Sequence, residues 1–154
     1  QDGDIEKAKT ALENGAQING KGGLGYTPLQ IAFVNDKLDM FAFLIGEGAN
    51  VEMENEEGLT PLMLVAREGG KNALKYAEIL ISPGGADYKR ESEEGMKAAD
   101  FAEEKGHKEL TAYFSSKRIE GDYQEALQEK ESRKKEVEGA QGKTKAPKKV
   151  RKRK

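Results

Sequence analysis

The sequence predicts an all-α solenoid of stacked two-helix repeats, followed by a charged helical and basic C-terminal extension. The tripeptide Thr27-Pro28-Leu29 returns 33 residues later as Thr60-Pro61-Leu62. The Gly15-Ala16 pair returns with the same period as Gly48-Ala49. A fixed period of this length is typical of chains built from stacked copies of one supersecondary unit.

Charge divides the chain further. From Lys117 onward there are fourteen Lys or Arg and seven Asp or Glu, a net charge of +7, so residues 1–116 carry −9 of the total −2. We therefore predict repeats over 1–116, a charged helix over 117–139 and a basic tail over 140–154. A tail of this kind favours acidic partners such as nucleic acid, an acidic protein surface or an import receptor.

The composition excludes several classes of protein. The chain has no cysteine, which excludes a disulfide framework, a thiolate nucleophile and cysteine-ligated metal, and agrees with an intracellular protein, cytoplasmic or nuclear. No apolar run reaches membrane-spanning length, so no transmembrane segment is predicted. The chain begins at Gln1, and the first unit, residues 3–15, supplies only a second helix, so we expect the natural protein to begin upstream.

The second unit shows how each repeat is built. Thr27 can cap a helix with its hydroxyl, and Pro28 suits the first helical position, where a missing N–H costs nothing. Residues 38–45 carry apolar side chains at helical spacing and predict a second helix. Gly48 is placed to end that helix in a left-handed conformation.

The later units depart from this pattern. The closing glycine after 76–81 is Gly85, 37 rather than 33 residues after Gly48, so this unit holds about four extra residues. We place them in the turn at 69–72, with an adjustment at 82–84. The last unit, 95–114, lacks Thr-Pro, as expected of a terminal repeat with one face in water.

These residues resemble the ankyrin repeat family. The resemblance rests on the Gly-x-Thr-Pro-Leu openings at 25–29 and 58–62, the Gly-Ala closings and the Gly106-His107 turn, and it covers about residues 3–116. Gln30 and Met63 stand where the family usually has histidine. The resemblance implies L-shaped units that bind proteins through hairpin-like tips and the concave face of the first helices.

Two motifs that look like enzyme or cofactor sites have structural interpretations. Residues 20–25 match G-x-G-x-x-G, but a nucleotide site needs a preceding strand in a βαβ unit, and here a helix precedes a repeat tip. His107, the single histidine, follows a turn glycine, where the resemblance implies a backbone hydrogen bond. We predict no catalytic residues, no metal site and no cofactor.

The repeats carry two groups of candidate protein-binding residues. The predicted apolar contacts are Tyr26, Phe33, Leu59 and Met63, since aromatic and methionine anchors dominate interface energetics. The predicted acidic contacts are Glu54, Glu56, Glu57, Glu91, Glu93 and Glu94. Packing against neighbouring repeats is the alternative for the apolar group, and a solvated rim that keeps the repeats soluble is the alternative for the acidic group.

The extension combines a helix with a cationic end. Asp122 begins a capping-box pattern, Gly139 is placed to end that helix, and Ile119, Tyr123 and Leu127 form a stripe that could bury itself against the last repeat. The predicted contacts to an acidic partner or nucleic acid are Lys143, Lys145, Lys148, Lys149, Arg151, Lys152, Arg153 and Lys154. No aromatic residue lies among them, so contacts to nucleic acid would be electrostatic.

We therefore expect a non-enzymatic adaptor, or a structural subunit of a multi-subunit assembly, that binds proteins through the repeats. The alternative is a nucleic-acid or ribonucleoprotein-associated protein anchored by the tail. A merely solubilising tail is a third interpretation of the same residues.

Overall fold

The computed structural model describes the backbone of residues 2–142, with side chains for residues 4–23 and 25–136. The chain divides into two compact units, Gln1–Ser115 and Ser116–Lys154. The described helices are α1 (Asp2–Glu13), α2 (Pro28–Val34), α3 (Leu38–Gly46), α4 (Pro61–Glu68), α5 (Ala73–Ile81), α6 (Ala98–Glu104) and α7 (Lys108–Gly142). A short 3-10 turn covers Gly23–Gly25.

The helices stack in the order that the period predicts. The first helices of successive repeats, α2, α4 and α6, pack side by side, with α4 between the other two. The second helices α1, α3 and α5 stack in the same way. Helices α2 and α3 form one hairpin and α4 and α5 the next, so the two-helix repeat is confirmed.

The predicted caps begin the first helices. The Gln30 N–H donates to Thr27 Oγ1 at 3.3 Å, and the Met63 N–H donates to Thr60 Oγ1 at 3.3 Å. Gln30 completes a capping box, because its Oε1 accepts from the Thr27 N–H at 3.0 Å. Its Nε2 then donates to the Leu59 carbonyl at 3.1 Å, so one buried glutamine ties its own helix to the next repeat.

The three tips between repeats share one backbone turn. In each, an N–H donates to the carbonyl four residues later: Gly22 to Tyr26 at 2.9 Å, Asn55 to Leu59 at 3.0 Å, and Ser92 to Met96 at 2.9 Å. A matching N–H three residues on closes the turn in all three. The three tips therefore have the same hydrogen-bonded turn, although they lie far apart in the sequence.

The core of the repeats is centred on Tyr76. Its ring meets Phe33 edge-to-face at 5.1 Å and Phe41 at 4.8 Å, and Tyr76 itself is almost completely buried. Edge-to-face pairs add about 0.5–1.5 kcal/mol each beyond the area that they bury. One tyrosine of α5 thus joins the two central repeats.

The structure places the extra residues of the lengthened repeat. Leu44 and Leu80 are equivalent, because their carbonyls accept from Ala49 and Ala86 at 2.9 and 2.8 Å. Leu80 follows Leu44 by 36 residues, so three of the four extra residues lie between Thr60 and Leu80. One lengthens α4, one lengthens the α4–α5 turn, and one lengthens the start of α5. The fourth lies between Leu80 and Gly85, in agreement with the sequence-based placement.

Helix α7 differs from the sequence prediction. No new helix begins at Asp122 and none ends at Gly139, because α7 runs without a break from Lys108 to Gly142. A single glycine such as Gly121 costs a helix only about 1 kcal/mol, and its neighbours are good helix formers.

The apolar stripe on this helix is also not buried. The side chains of Ile119, Tyr123 and Leu127 are exposed, so the prediction that they are buried is wrong. Further along, the helix carries an i,i+4 ion pair, with Arg133 Nη2 2.5 Å from Glu129 Oε1.

Candidate functional site

Part of the acidic tip surface is already neutralised by a neighbouring arginine. Arg90 Nη1 lies 3.2 Å from Glu52 Oε2, and Arg90 Nη2 lies 2.5 Å from Glu54 Oε1. The Asp87 N–H also donates to Glu52 Oε1 at 2.7 Å. Two of the tip glutamates therefore join one repeat to the next, and Glu54 is not a free acidic contact.

A second arginine holds Glu57. Arg67 Nη1 and Nη2 contact the two Glu57 carboxylate oxygens at 2.6 and 3.3 Å, and Arg67 Nε contacts Glu68 Oε1 at 2.8 Å. The hydrogen bonds from Arg67, with a smaller one from the Tyr26 hydroxyl, hold the pKa of Glu57 below its usual range. The Arg67 carbonyl in turn bonds His107 Nε2 at 3.1 Å, which confirms the backbone role predicted for this histidine.

The remaining predicted glutamates occupy the outer edge of the tips. Glu91 lies 3.4 Å from the Lys97 ammonium. Glu56, Glu93 and Glu94 are exposed and make no hydrogen bond or ion pair to another residue whose side chain the structure describes. The acidic surface available to a partner is therefore smaller than the sequence indicates.

Three of the four predicted apolar contacts lie in the core. Phe33, Leu59 and Met63 are 8%, 4% and 2% exposed. Stacking of the neighbouring repeat covers Leu59 and Met63, so the prediction that these two lie on an accessible binding surface is wrong. Phe33 is also mainly buried, and only the small exposed part of its side chain lines a groove. Tyr26 differs, because it is only partly buried and lines an open groove.

That groove, called here the α2–α4 groove, has a volume of about 400 Å³. One wall is formed by Tyr26, Phe33, Val34 and Asp36, and the other by Leu64, Glu68 and the turn 69–72, with Tyr76 behind them. Val34 is 58% exposed at its rim. A concave, partly apolar surface with a few polar groups is the usual form of a binding site.

Asp36 is the best-ordered polar group in the groove. Asn72 Nδ2 donates to its two carboxylate oxygens at 3.1 and 3.2 Å, and the Tyr76 hydroxyl donates to Oδ1 at 3.1 Å. These bonds, the one from Asn72 first, hold the pKa of Asp36 below its usual range. The carboxylate is therefore charged at neutral pH and fixed in direction.

The inserted residues build one side of this groove. Gly69, Gly70, Lys71 and Asn72 all line it, in a turn that is one residue longer than its counterpart 35–37. Asn72 also supplies the donor that orients Asp36 of the preceding repeat. The irregular part of the repeat thus gives the groove its wall and its fixed charge.

The sequence indicated only part of this site. The repeat pattern points to Tyr26 and locates the insertion, but it does not point to Val34, Asp36 or Glu68. The available signal was the break in helical pattern at 35–37, where Asp36 adopts a left-handed backbone with φ +49°.

The predicted cationic contacts, Lys143 to Lys154, lie outside the described residues. Over residues 2–142, no helix is both long enough and apolar enough to cross a membrane.

Three known proteins are similar to part of this chain. Protein glp-1 of Caenorhabditis elegans is 29% identical over 118 residues, covering 71% of this chain and 9% of that protein. The transient receptor potential cation channel subfamily A member 1 homolog of the same organism is 32% identical over 106 residues, covering 69% and 8%. A putative ankyrin repeat protein of Rickettsia bellii is 33% identical over 82 residues, covering 49% of each. The chain therefore spans at most about half the length of these relatives.

The family model that describes three copies of the ankyrin repeat matches residues 1–92 and again residues 33–125. The two matches together cover most of the chain and all the tips and hairpins described above. They agree with the stacked hairpins and with the Thr-Pro-Leu helix starts. This chain belongs to the ankyrin repeat family.

Proposed function

We propose that the chain is a non-enzymatic protein-binding adaptor or structural subunit of a larger assembly, and that the α2–α4 groove is the centre of its binding surface. Ankyrin repeats usually mediate protein–protein binding and are not a catalytic module. The observation that carries the proposal is the groove itself: about 400 Å³, with exposed Val34 at its rim and ordered Asp36 in its wall.

The free tip carboxylates extend this surface. Glu56 lies against Gly25 of the preceding tip, and Glu93 lies near Gly58 in the same way one repeat later. Together with Glu94 they place negative charge along the tips. Complementary charge of this kind accelerates association and selects partners more than it adds affinity.

Site-specific photocrosslinking tests the proposal. A photoreactive phenylalanine analogue replaces Val34 at the groove rim in one variant and Ala42, an exposed residue of α3, in a matched control. Expressed in the source cells, the Val34 variant should give a discrete protein adduct and the Ala42 variant should not. Equal adducts from both positions, or none from Val34, would contradict the proposal.

The nucleic-acid alternative stays a prediction, because it rests on residues outside the described part. Deleting 143–154 separates the two hypotheses. The Val34 adduct should survive this deletion, whereas any RNA or DNA affinity with a steep salt dependence should be lost with it.

A further inference from the structure

We propose that the α2–α4 groove binds a basic side chain, an arginine or a lysine, of the partner protein. This inference rests on the proposed function and adds the chemistry of what the groove recognises. It depends on three features: a fixed carboxylate, apolar walls and a rigid support.

The fixed carboxylate is Asp36. Its two oxygens accept from Asn72 and Tyr76, yet the residue is exposed, and two carboxylate oxygens together offer about four acceptor sites. Three sites are used, so one further donor can be accepted. A guanidinium or ammonium group is the donor for which a carboxylate forms the strongest hydrogen bonds.

Other charges in and near the groove favour the same ligand. Glu68 lines it, and only its Oε1 is bonded to Arg67. Arg67 is itself occupied by Glu57 on its other side. Lys71 also lines the groove, and its positive charge contributes to the lowered pKa of Asp36 and so opposes a cationic ligand. No ion pair within 4.0 Å joins the two among the described side chains, so the Asp36 carboxylate can still accept a donor from a partner.

The walls suit the stem of a basic side chain. Tyr26 and Val34 expose apolar surface in the groove beside the carboxylates, and Leu64 lines it with the little of its side chain that is not covered. Lysine and arginine bury their methylene stems along apolar surface while their charged ends reach polar groups. The tyrosine ring adds an aromatic face of the kind on which a guanidinium group stacks.

The support is rigid because Tyr76 is held by the core. Its ring is fixed between Phe33 and Phe41, and its hydroxyl fixes Asp36. A binding group that is already ordered loses little conformational entropy when a ligand arrives. The same geometry disfavours an anion, which the two carboxylates repel. A metal ion is also disfavoured, since Asn72 presents its N–H donors to Asp36.

The test uses the full chain and a defined probe. Amide NMR spectra are recorded during titration with N-acetyl-arginine amide, and separately with N-acetyl-citrulline amide, a neutral isostere, and N-acetyl-lysine amide. The arginine and lysine probes should shift Gly69, Gly70 and Asn72 at millimolar concentration, and citrulline should not. Equal shifts with citrulline, or no shift at the groove with either basic probe, would overturn the inference.

Variants then assign the effect to one carboxylate. Asp36→Asn keeps an oxygen for the Tyr76 hydroxyl and should weaken arginine binding about tenfold, the usual effect of losing a charged hydrogen-bond partner. Asp39→Asn removes the same charge three residues away, outside the groove, and should change affinity less than about twofold by weak screened coupling. Equal losses in the two variants would overturn the inference.

If Asp36→Asn changes the spectrum throughout the repeats, Glu68→Gln replaces it, and an unchanged affinity for arginine in that variant counts against the site. The result is independent of the photocrosslinking experiment. A partner adduct at Val34 with no arginine binding would leave the proposed function standing and refute this inference alone.

Discussion

Gly69 is the position where the last repeat most directly constrains the lengthened repeat before it. It ends α4 with φ +66° and ψ −138°, a backbone conformation nearly confined to glycine. A Cβ atom built there would lie 2.4 Å from His107 Cε1 and 2.5 Å from Nε2. Replacing Gly69 by alanine therefore strains the backbone and displaces the imidazole.

The two effects can be estimated separately. Backbone strain in this region is worth on the order of 1–3 kcal/mol, and we take about 2. A displaced imidazole loses its 3.1 Å hydrogen bond to the Arg67 carbonyl, worth about 1 kcal/mol. We expect Gly69→Ala to lower the free energy of unfolding by about 3 kcal/mol, a large part of the roughly 5–15 kcal/mol of an ordinary domain.

A double-mutant cycle separates this account from simple strain. His107→Ala alone should cost about 1 kcal/mol, for the lost hydrogen bond. The double variant Gly69→Ala/His107→Ala should cost about 3 kcal/mol, the same as Gly69→Ala alone, because the bond is already lost and the clash is gone. Independent effects would instead add to about 4 kcal/mol.

Urea unfolding followed by far-ultraviolet circular dichroism measures these differences, provided that the m-value is the same in all four proteins. An additive cycle would refute the coupling between Gly69 and His107. A loss below about 1 kcal/mol for Gly69→Ala would refute the strain estimate as well.

Three further outcomes are expected from the packing and ion pairs. Burial raises the pKa of Tyr76, and the hydrogen bond to Asp36 raises it further. The contribution of this neutral tyrosine to folding stability is therefore present below about pH 10 and is lost as the pH rises above it. Absorbance at alkaline pH should show one of the five tyrosines ionising last, and Tyr76→Phe should remove that step. Arg90→Gln should lower the unfolding free energy by less than about 1 kcal/mol, because the pair is partly exposed, and high salt in urea unfolding should shrink the difference. Replacing Ile119, Tyr123 and Leu127 together by serine should change the melting temperature little, since their side chains are exposed; a large fall would contradict that exposure.

The parts of the fold that were predictable are determined by local chemistry. Thr27 and Thr60 cap their helices with hydroxyls that reach only three residues along the chain. Gly48 ends its helix at φ +86°, as its place after an apolar helix predicts. These local features do not depend on the neighbouring repeat, so a sequence pattern with a fixed period is enough to locate them.

Burial was not predictable in the same way, because the next repeat decides it. Tyr26 and Leu59 hold equivalent places between Gly and Thr, yet Tyr26 is partly exposed and Leu59 is buried. Likewise Ile31 is exposed, while its equivalent Leu64, one period later, is buried under another first helix. A sequence pattern gives the face of a helix but not which faces a neighbour covers.

The binding surface follows from where the period fails. Residues that follow the 33-residue period take part in the stacking of one repeat on the next. Gln30 joins its helix to the next tip, and Leu59 lies in the core. The three extra residues in and beside the α4–α5 turn have no counterpart in the preceding repeat, so stacking does not require them. They instead bring Asn72 to Asp36 and open a groove beside Val34. A departure from the repeat thus supplies the chemistry by which this chain can differ from other members of its family.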